Sequence, residues 1–250
     1  TPGASTPEVV LMFGQSNNCV GKVEYNNFPE WHFADHRASM ASYRVSSGGI
    51  VLTNTTDLIP VAPYQTFDNQ NVGSEVGYAQ TLLERGFVDP VFLTYARSGS
   101  GLNAGSSPTQ GDWSASGTMW TGAVTWVNAR ITAHTISTPT RLVWYQGEQD
   151  ALDATDSAAY KTNLLALIVR ARAEWNASLK FTLVLPWDQN EDRAYMGTVR
   201  QAILEIAYAD VLIDVVESKY LRRQDDVHLS AQGQLALGRA CAQSDVYPRP

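Results

Sequence analysis

Val9-Val10-Leu11-Met12-Phe13-Gly14-Gln15-Ser16-Asn17 is the stretch on which the reading of this chain turns. Its unbroken apolar run fits a strand buried on both faces, as in a parallel sheet covered by helices. The run ends at Gly14, and a serine follows two residues later. A serine at the exit of a buried strand is held by a rigid backbone, and a glycine beside it leaves room for a substrate. If a helix follows, its unpaired N–H groups point at the same spot and can hold developing negative charge. On its own the segment reads first as a plain strand-end turn.

A serine hydroxyl is a weak nucleophile until a base removes its proton. Asp225-Asp226-Val227-His228, running into Leu229-Ser230-Ala231-Gln232-Gly233, supplies a candidate base. The ordinary histidine pKa of about 6.5 suits proton transfer near neutrality. A carboxylate three residues earlier can turn back to accept from Nδ1–H, leaving Nε2 for the serine. The competing reading makes His228 a helix-start residue and the aspartates caps or solvated charges. A third segment, Trp144-Tyr145-Gln146-Gly147-Glu148-Gln149-Asp150, follows the apolar Arg141-Leu142-Val143. Polar groups just past a strand's C-terminal end lie where open α/β sheets place ligands. Gln146 or Glu148 taken alone reads as loop hydrogen bonding.

Between these segments, strand-like and helix-like stretches alternate. Glu8–Phe13, Val91–Tyr95, Arg141–Tyr145, Phe181–Leu185 and Val211–Val215 read as strands. Glu75–Arg85, Thr118–His134, Asp153–Asn176, Arg193–Tyr208 and Ala231–Ala242 read as helices. In the longest of them Tyr160, Leu164, Leu167, Ile168, Ala171 and Trp175 trace one face. The alternation predicts an α/β fold, a three-layer α/β/α sandwich on a mainly parallel five-stranded sheet. Cys19 to Ile59 has no sustained period and reads as a long irregular excursion on the active-site rim. Ser98–Gly117, rich in glycine and serine, reads as a loop.

Taken together, Gly14-Gln15-Ser16-Asn17, Trp144-Tyr145-Gln146-Gly147-Glu148 and Asp225-x-x-His228 resemble the SGNH-hydrolase superfamily. More narrowly they are similar to its sialate O-acetylesterase and acetyl xylan esterase branch, of the carbohydrate esterase family 6 type. Gly73-Ser74-Glu75-Val76-Gly77 looks like that family's second block, and the blocks bracket almost the whole chain. The resemblance implies a flavodoxin-like fold and a Ser-His-Asp hydrolase that removes acetyl groups from carbohydrates without a cofactor. It implies Ser16 as nucleophile, His228 as general base and Asp225 as its orienter, with Asp226 facing solvent. Oxyanion donors would be the backbone N–H groups of Ser16 and Gly73 and the side-chain amide of Gln146. The broader superfamily uses asparagine in a Gly-x-Asn pattern, which Gly147-Glu148-Gln149 lacks, so Gln149 competes with Gln146. Glu148 reads as a loop brace rather than an acid.

Weaker candidates for substrate contact are Gln15, Asn17, Glu148, Arg97, Trp113 and Trp187. Asn17 reads as a helix cap or as a holder of the nucleophile turn. Arg97 reads as a sugar contact or, more simply, as a partner for backbone carbonyls. A flat indole suits stacking on a sugar, and one of Trp113, Trp120 and Trp187 is expected to do so; covering the core edge is the commoner use.

The 250 residues, 44% of them apolar, suffice for one sizeable core, expected over residues 8–250, with residues 1–7 a linker remnant. The net charge of −7 without a basic cluster argues against nucleic acid as a partner. No apolar run is long enough for a membrane span. The expected partner is an acetylated carbohydrate. Thr1 at the start and Pro248-Arg249-Pro250 at the end read as cut boundaries. Such a piece fits a secreted, surface or virion protein; the alternative readings are a non-catalytic glycan-binding module of a larger surface or phage tail protein, and an esterase for non-sugar esters such as a lipid or thioester. Cys19 and Cys241 read as buried free thiols. His32 and His36 have helical metal-ligand spacing but lie in a loop-like context, and no metal is expected.

Overall fold

The computed structural model describes residues 7–19, 35–45, 51–54, 57–61, 64–65, 70–71, 73–188 and 192–244. The first apolar run forms strand β1 (Val9–Gly14), buried along its length. Its side chains alternate between two cores, Val9, Leu11 and Phe13 facing one and Val10 and Met12 the other. Burying each such side chain contributes about 1.5–3 kcal/mol, so β1 anchors the sheet from the middle.

The one-turn helix α1 (Ser16–Cys19) follows. Then come β2 (Asp35–Val45), β3 (Val51–Asn54) and β4 (Ile59–Val61). A small ribbon pairs β5 (Tyr64–Gln65) with β6 (Gln70–Asn71). The rest alternates: α2 (Ser74–Glu84), β7 (Val91–Arg97), α3 (Thr118–His134), β8 (Arg141–Tyr145) and α4 (Ala154–Glu174). It closes with β9 (Lys180–Leu185), α5 (Met196–Ala209), β10 (Ile213–Glu217) and α6 (Ala231–Gln243). Residues of α3, α4 and α5 cover one sheet face, and residues of α2 and α6 the other.

The sheet order is β10-β9-β8-β1-β7-β2-β3, with β4 also on β2. Every pairing from β10 to β2 is parallel, which makes six parallel strands. β3 and β4 join the outer edge of β2 antiparallel. The expected five-stranded sheet is thus one parallel strand short, and the stretch Cys19–Ile59 is not wholly irregular. β2 escapes a hydropathy reading because it carries Ser42 and Arg44 at buried positions. Arg44 is tolerated there because its guanidinium meets the Glu75 carboxylate at 2.6 Å, both side chains being buried.

His36 lies in β2, while His32 is outside the described residues, as are residues 1–6 of the expected linker and Pro248–Pro250. Among the described residues there is no group of three or more His, Cys, Asp or Glu arranged for a metal. None of the described helices is long and apolar enough to cross a membrane. Cys241 is a free, buried thiol, and burial pushes its pKa up to about 12.

The chain leaves β1 toward β2 and β7 on one side, and returns through β8, β9 and β10 on the other. This switch point lies at the carboxyl end of β1, the usual ligand position in such sheets. All three chemistry-bearing segments leave the sheet at that edge: Ser16 after β1, Gln146–Asp150 after β8, and His228 beyond β10.

Candidate active site

The turn that presents Ser16 depends on Gly14. Its φ of 146° lies in a region where a side chain would be strained. Gln15 N–H donates to Tyr145 O at 3.2 Å, which extends the β1–β8 ladder by one bond. The turn is therefore tied to the strand that carries the mid-chain motif. Ser16, the candidate nucleophile, is largely buried at the first position of α1.

The segment carrying His228 folds around a carboxylate. Asp225 Oδ1 accepts from the backbone N–H of Val227 at 2.9 Å and of His228 at 2.6 Å. Its Oδ2 lies 2.9 Å from His228 Nδ1. The Asp-x-x-His spacing thus closes a ring that fixes the imidazole by Nδ1 and leaves Nε2 for proton transfer. Burial alone would raise the Asp225 pKa, but the hydrogen bonds from His228 and Val227 outweigh it and hold the carboxyl below its usual range. The pair is open to water, with side-chain exposures of 49% for Asp225 and 29% for His228. Asp226 is exposed, as expected. Ser230 then caps α6 by accepting from Gly233 N–H at 3.2 Å, which fixes where the loop ends.

Asn17 joins these two segments. Its Oδ1 accepts from Leu229 N–H at 2.9 Å, and its Nδ2 donates to Val227 O at 3.1 Å. The residue after Ser16 therefore grips the peptide groups on both sides of His228. Nδ2 also donates to Glu148 Oε1 at 2.9 Å, and Gln234 of α6 donates to Asn17 O at 2.6 Å. Asn17 is neither a free substrate contact nor a helix cap.

The mid-chain motif forms the floor. Gly147 sits at φ 142°, and a Cβ there would meet Val199 Cγ1 at 2.7 Å, so only glycine fits this turn. Glu148 is buried, and burial holds its pKa above the usual carboxylate value, only partly opposed by its own backbone N–H, the Asn17 amide and the charges of His228 and Arg193. Gln146 is fully buried. Its Nε2 donates to Asp150 Oδ2 at 2.6 Å, and Ser100 O and Gln15 Oε1 lie at 3.2 Å. Both N–H bonds of that amide are engaged inside the protein, so it is not offered to an oxyanion here. Gln149 directs its amide to Ser106 O at 3.4 Å. Gln15, also buried, accepts from Gln146 and from Gln149 N–H and braces the turn. Gly73 is buried at the start of α2, and a Cβ on it would overlap the Glu75 carboxylate that Arg44 holds.

The aromatic candidates separate clearly. Trp113 is fully buried between Phe13, Tyr95 and Trp144, with its Nε1 donating to Ser100 Oγ at 3.1 Å. It cannot stack on a sugar. Trp120 is buried against Trp175 and Arg170. Trp187 is half-buried past the end of β9, with the Arg223 guanidinium 4.5 Å from its ring centroid. Arg223 also donates to Ser218 O and Val227 O, so Trp187 packs beside the histidine loop. Arg97 donates to Gln110 Oε1 and Thr109 O and braces its own loop.

Asp150 and Ser100 join the candidate site without a sequence signal of their own. Asp150 is four residues after Gln146, within the motif itself. Its carboxylate accepts from Leu102 and Asn103 N–H as well as from Gln146. Burial lifts its pKa from 3.8 to about 6, against the pull of those hydrogen bonds. A folded pKa above the unfolded one makes a stability contribution that is full below about pH 4 and lost as pH rises through about 6. At roughly 1.4 kcal/mol per unit the change is of order 3 kcal/mol. Asp150→Asn, which stays neutral, should therefore gain stability relative to wild type between pH 4 and 7, as read by urea unfolding at each pH. A gap independent of pH would contradict this.

A family model described as carbohydrate esterase, sialic acid-specific acetylesterase, matches residues 6–246. A probable carbohydrate esterase of Arabidopsis thaliana is 32% identical over 104 residues, 41% of this chain and 38% of that relative. In shape, an Arabidopsis thaliana protein matches with a TM-score of 0.67 at 21% identity, over 95% of this chain and 97% of its own. NanS matches at 0.69 and 14% identity, over 97% of each chain. A carbohydrate acetylesterase from Xanthomonas citri matches at 0.63 and 13% identity, over 95% of this chain and 56% of its own. A match over nearly the whole chain, on a shared parallel fold, shows that the chain belongs to the carbohydrate esterase, sialic acid-specific acetylesterase family.

Proposed function

We propose that the protein cleaves O-acetyl groups from a carbohydrate through an acetyl-enzyme on Ser16. His228 Nε2 takes the Ser16 proton as Oγ attacks the acetyl carbonyl, and returns it to the departing sugar hydroxyl. Water, deprotonated by the same nitrogen, then releases acetate and restores Ser16. Asp225 orients the imidazole through Nδ1. The backbone N–H groups of Ser16 and Gly73 are the oxyanion donors in this reading, each worth about 2.7–4 kcal/mol in comparable enzymes. Trp187, braced by Arg223, offers an indole beside the histidine loop on which a sugar ring can rest. A polymer outside the cell fits such an open, water-exposed base.

The observation that carries this reading is the Asp225–His228 ring clasped by Asn17, the residue after Ser16. The test is acetate release from p-nitrophenyl acetate, acetylated xylan and O-acetylated sialosides. Turnover of at least one acetylated carbohydrate is expected. Folded protein that binds such a glycan but releases no acetate from any ester would overturn the proposal.

A further inference from the structure

Resting on that reading, we propose that Asn17 is a positioning residue, whose amide fixes the His228 loop to the nucleophile turn. The amide behaves as a short piece of strand: it accepts from Leu229 N–H and donates to Val227 O, as a neighbouring backbone would. These bonds bracket His228, and Asn17 is covalently next to Ser16. A displacement of one partner is therefore passed to the other. Glu148 Oε1 takes the second N–H of Nδ2, which sets which way round the amide sits. Gln234 pins the Asn17 carbonyl from α6, the helix into which the histidine loop runs. Leu229 is fully buried, so its N–H has no water to fall back on.

This clasp acts beside Asp225, not through it. Asp225 orients the ring but is itself half open to water. Asn17 holds the backbone from which the ring hangs, and it does so from the buried side.

The variants are Asn17→Ala, Asn17→Asp and the double variant Asn17→Asp/Glu148→Gln. Each is assayed for kcat and KM on p-nitrophenyl acetate, for thermal unfolding, and for hydrogen exchange at the Leu229 amide. Asn17→Ala is expected to lower kcat about 100-fold with KM little changed, the scale of a misplacement near 1 Å. Leu229 exchange should quicken by more than the fall in global stability accounts for. Asn17→Asp still accepts from Leu229 but sets a carboxylate against Glu148 and Val227 O, and should lose as much. In the double variant the introduced glutamine amide can donate to the introduced carboxylate. Roughly tenfold of that loss should then return, a coupling that independent sites do not show.

Near-wild-type kcat in Asn17→Ala would overturn the proposal, as would a loss that merely follows the unfolded fraction. So would no recovery in the double variant. If wild-type protein turns over no ester, the proposed function fails separately. Leu229 exchange then decides: quickened in Asn17→Ala it supports the clasp, unchanged it overturns it.

Discussion

Alanine at His228 is expected to lower kcat on p-nitrophenyl acetate by roughly 10⁶-fold, whereas asparagine at Asp225 costs only about 10- to 100-fold. The first figure follows from the role: without Nε2 no group takes the Ser16 proton, and a neutral hydroxyl attacks an ester very slowly. The second follows from exposure. A buried orienting aspartate is worth about 10⁴-fold in a sequestered triad. Here 49% of the Asp225 side chain is exposed, and water screens its charge. At bulk dielectric two charges 4 Å apart interact by about 1 kcal/mol, under a factor of ten in rate. The rest of its contribution is ring orientation, part of which the backbone held by Asn17 retains. Steady-state kinetics of the two variants read this directly. Equal losses would mean that Asp225 governs the base alone.

Much of the fold around this candidate site was legible in the chain. The apolar runs at Val9, Val91, Arg141 and Phe181 stand as β1, β7, β8 and β9, because strands buried on both faces have little choice of residue. The fold class followed from the alternation of strands and helices and the family from the motifs at the strand ends, and both hold. β2 was not legible: its buried Arg44 makes sense only with Glu75, 31 residues away, as its partner. Trp113 misled for a related reason. A tryptophan in a Gly/Ser-rich loop looks exposed, yet that loop folds inward to place the indole on Phe13.

The polar floor was the least legible part. Gln146 looked like a donor awaiting an oxyanion, and the acceptor that engages it, Asp150, sits in the same motif. Hydrogen-bond pairing among buried amides is set by angles that a sequence does not carry. The same holds for Asn17, whose partners lie 131 and 210 residues away. Local patterns point to candidate reacting groups; long-range bonds decide which of the remaining polar residues are already engaged inside the protein.

Ser16→Ala is the change with the greatest reach. In the proposed mechanism it removes the atom that bonds to the acetyl carbon. Ser16 is small and buried, so losing one hydroxyl leaves the packing around it in place. The variant should unfold at close to the wild-type temperature. Its expected loss is again roughly 10⁶-fold in kcat, and it should not add to that of His228→Ala, since the two groups act as one unit. The decisive measurement is acetate released from p-nitrophenyl acetate and from the preferred acetylated carbohydrate, by folded Ser16→Ala beside wild type. Acetate at the uncatalysed background is expected from the variant on both substrates. Acetate released by the folded variant at a rate near that of wild type would contradict the proposed mechanism.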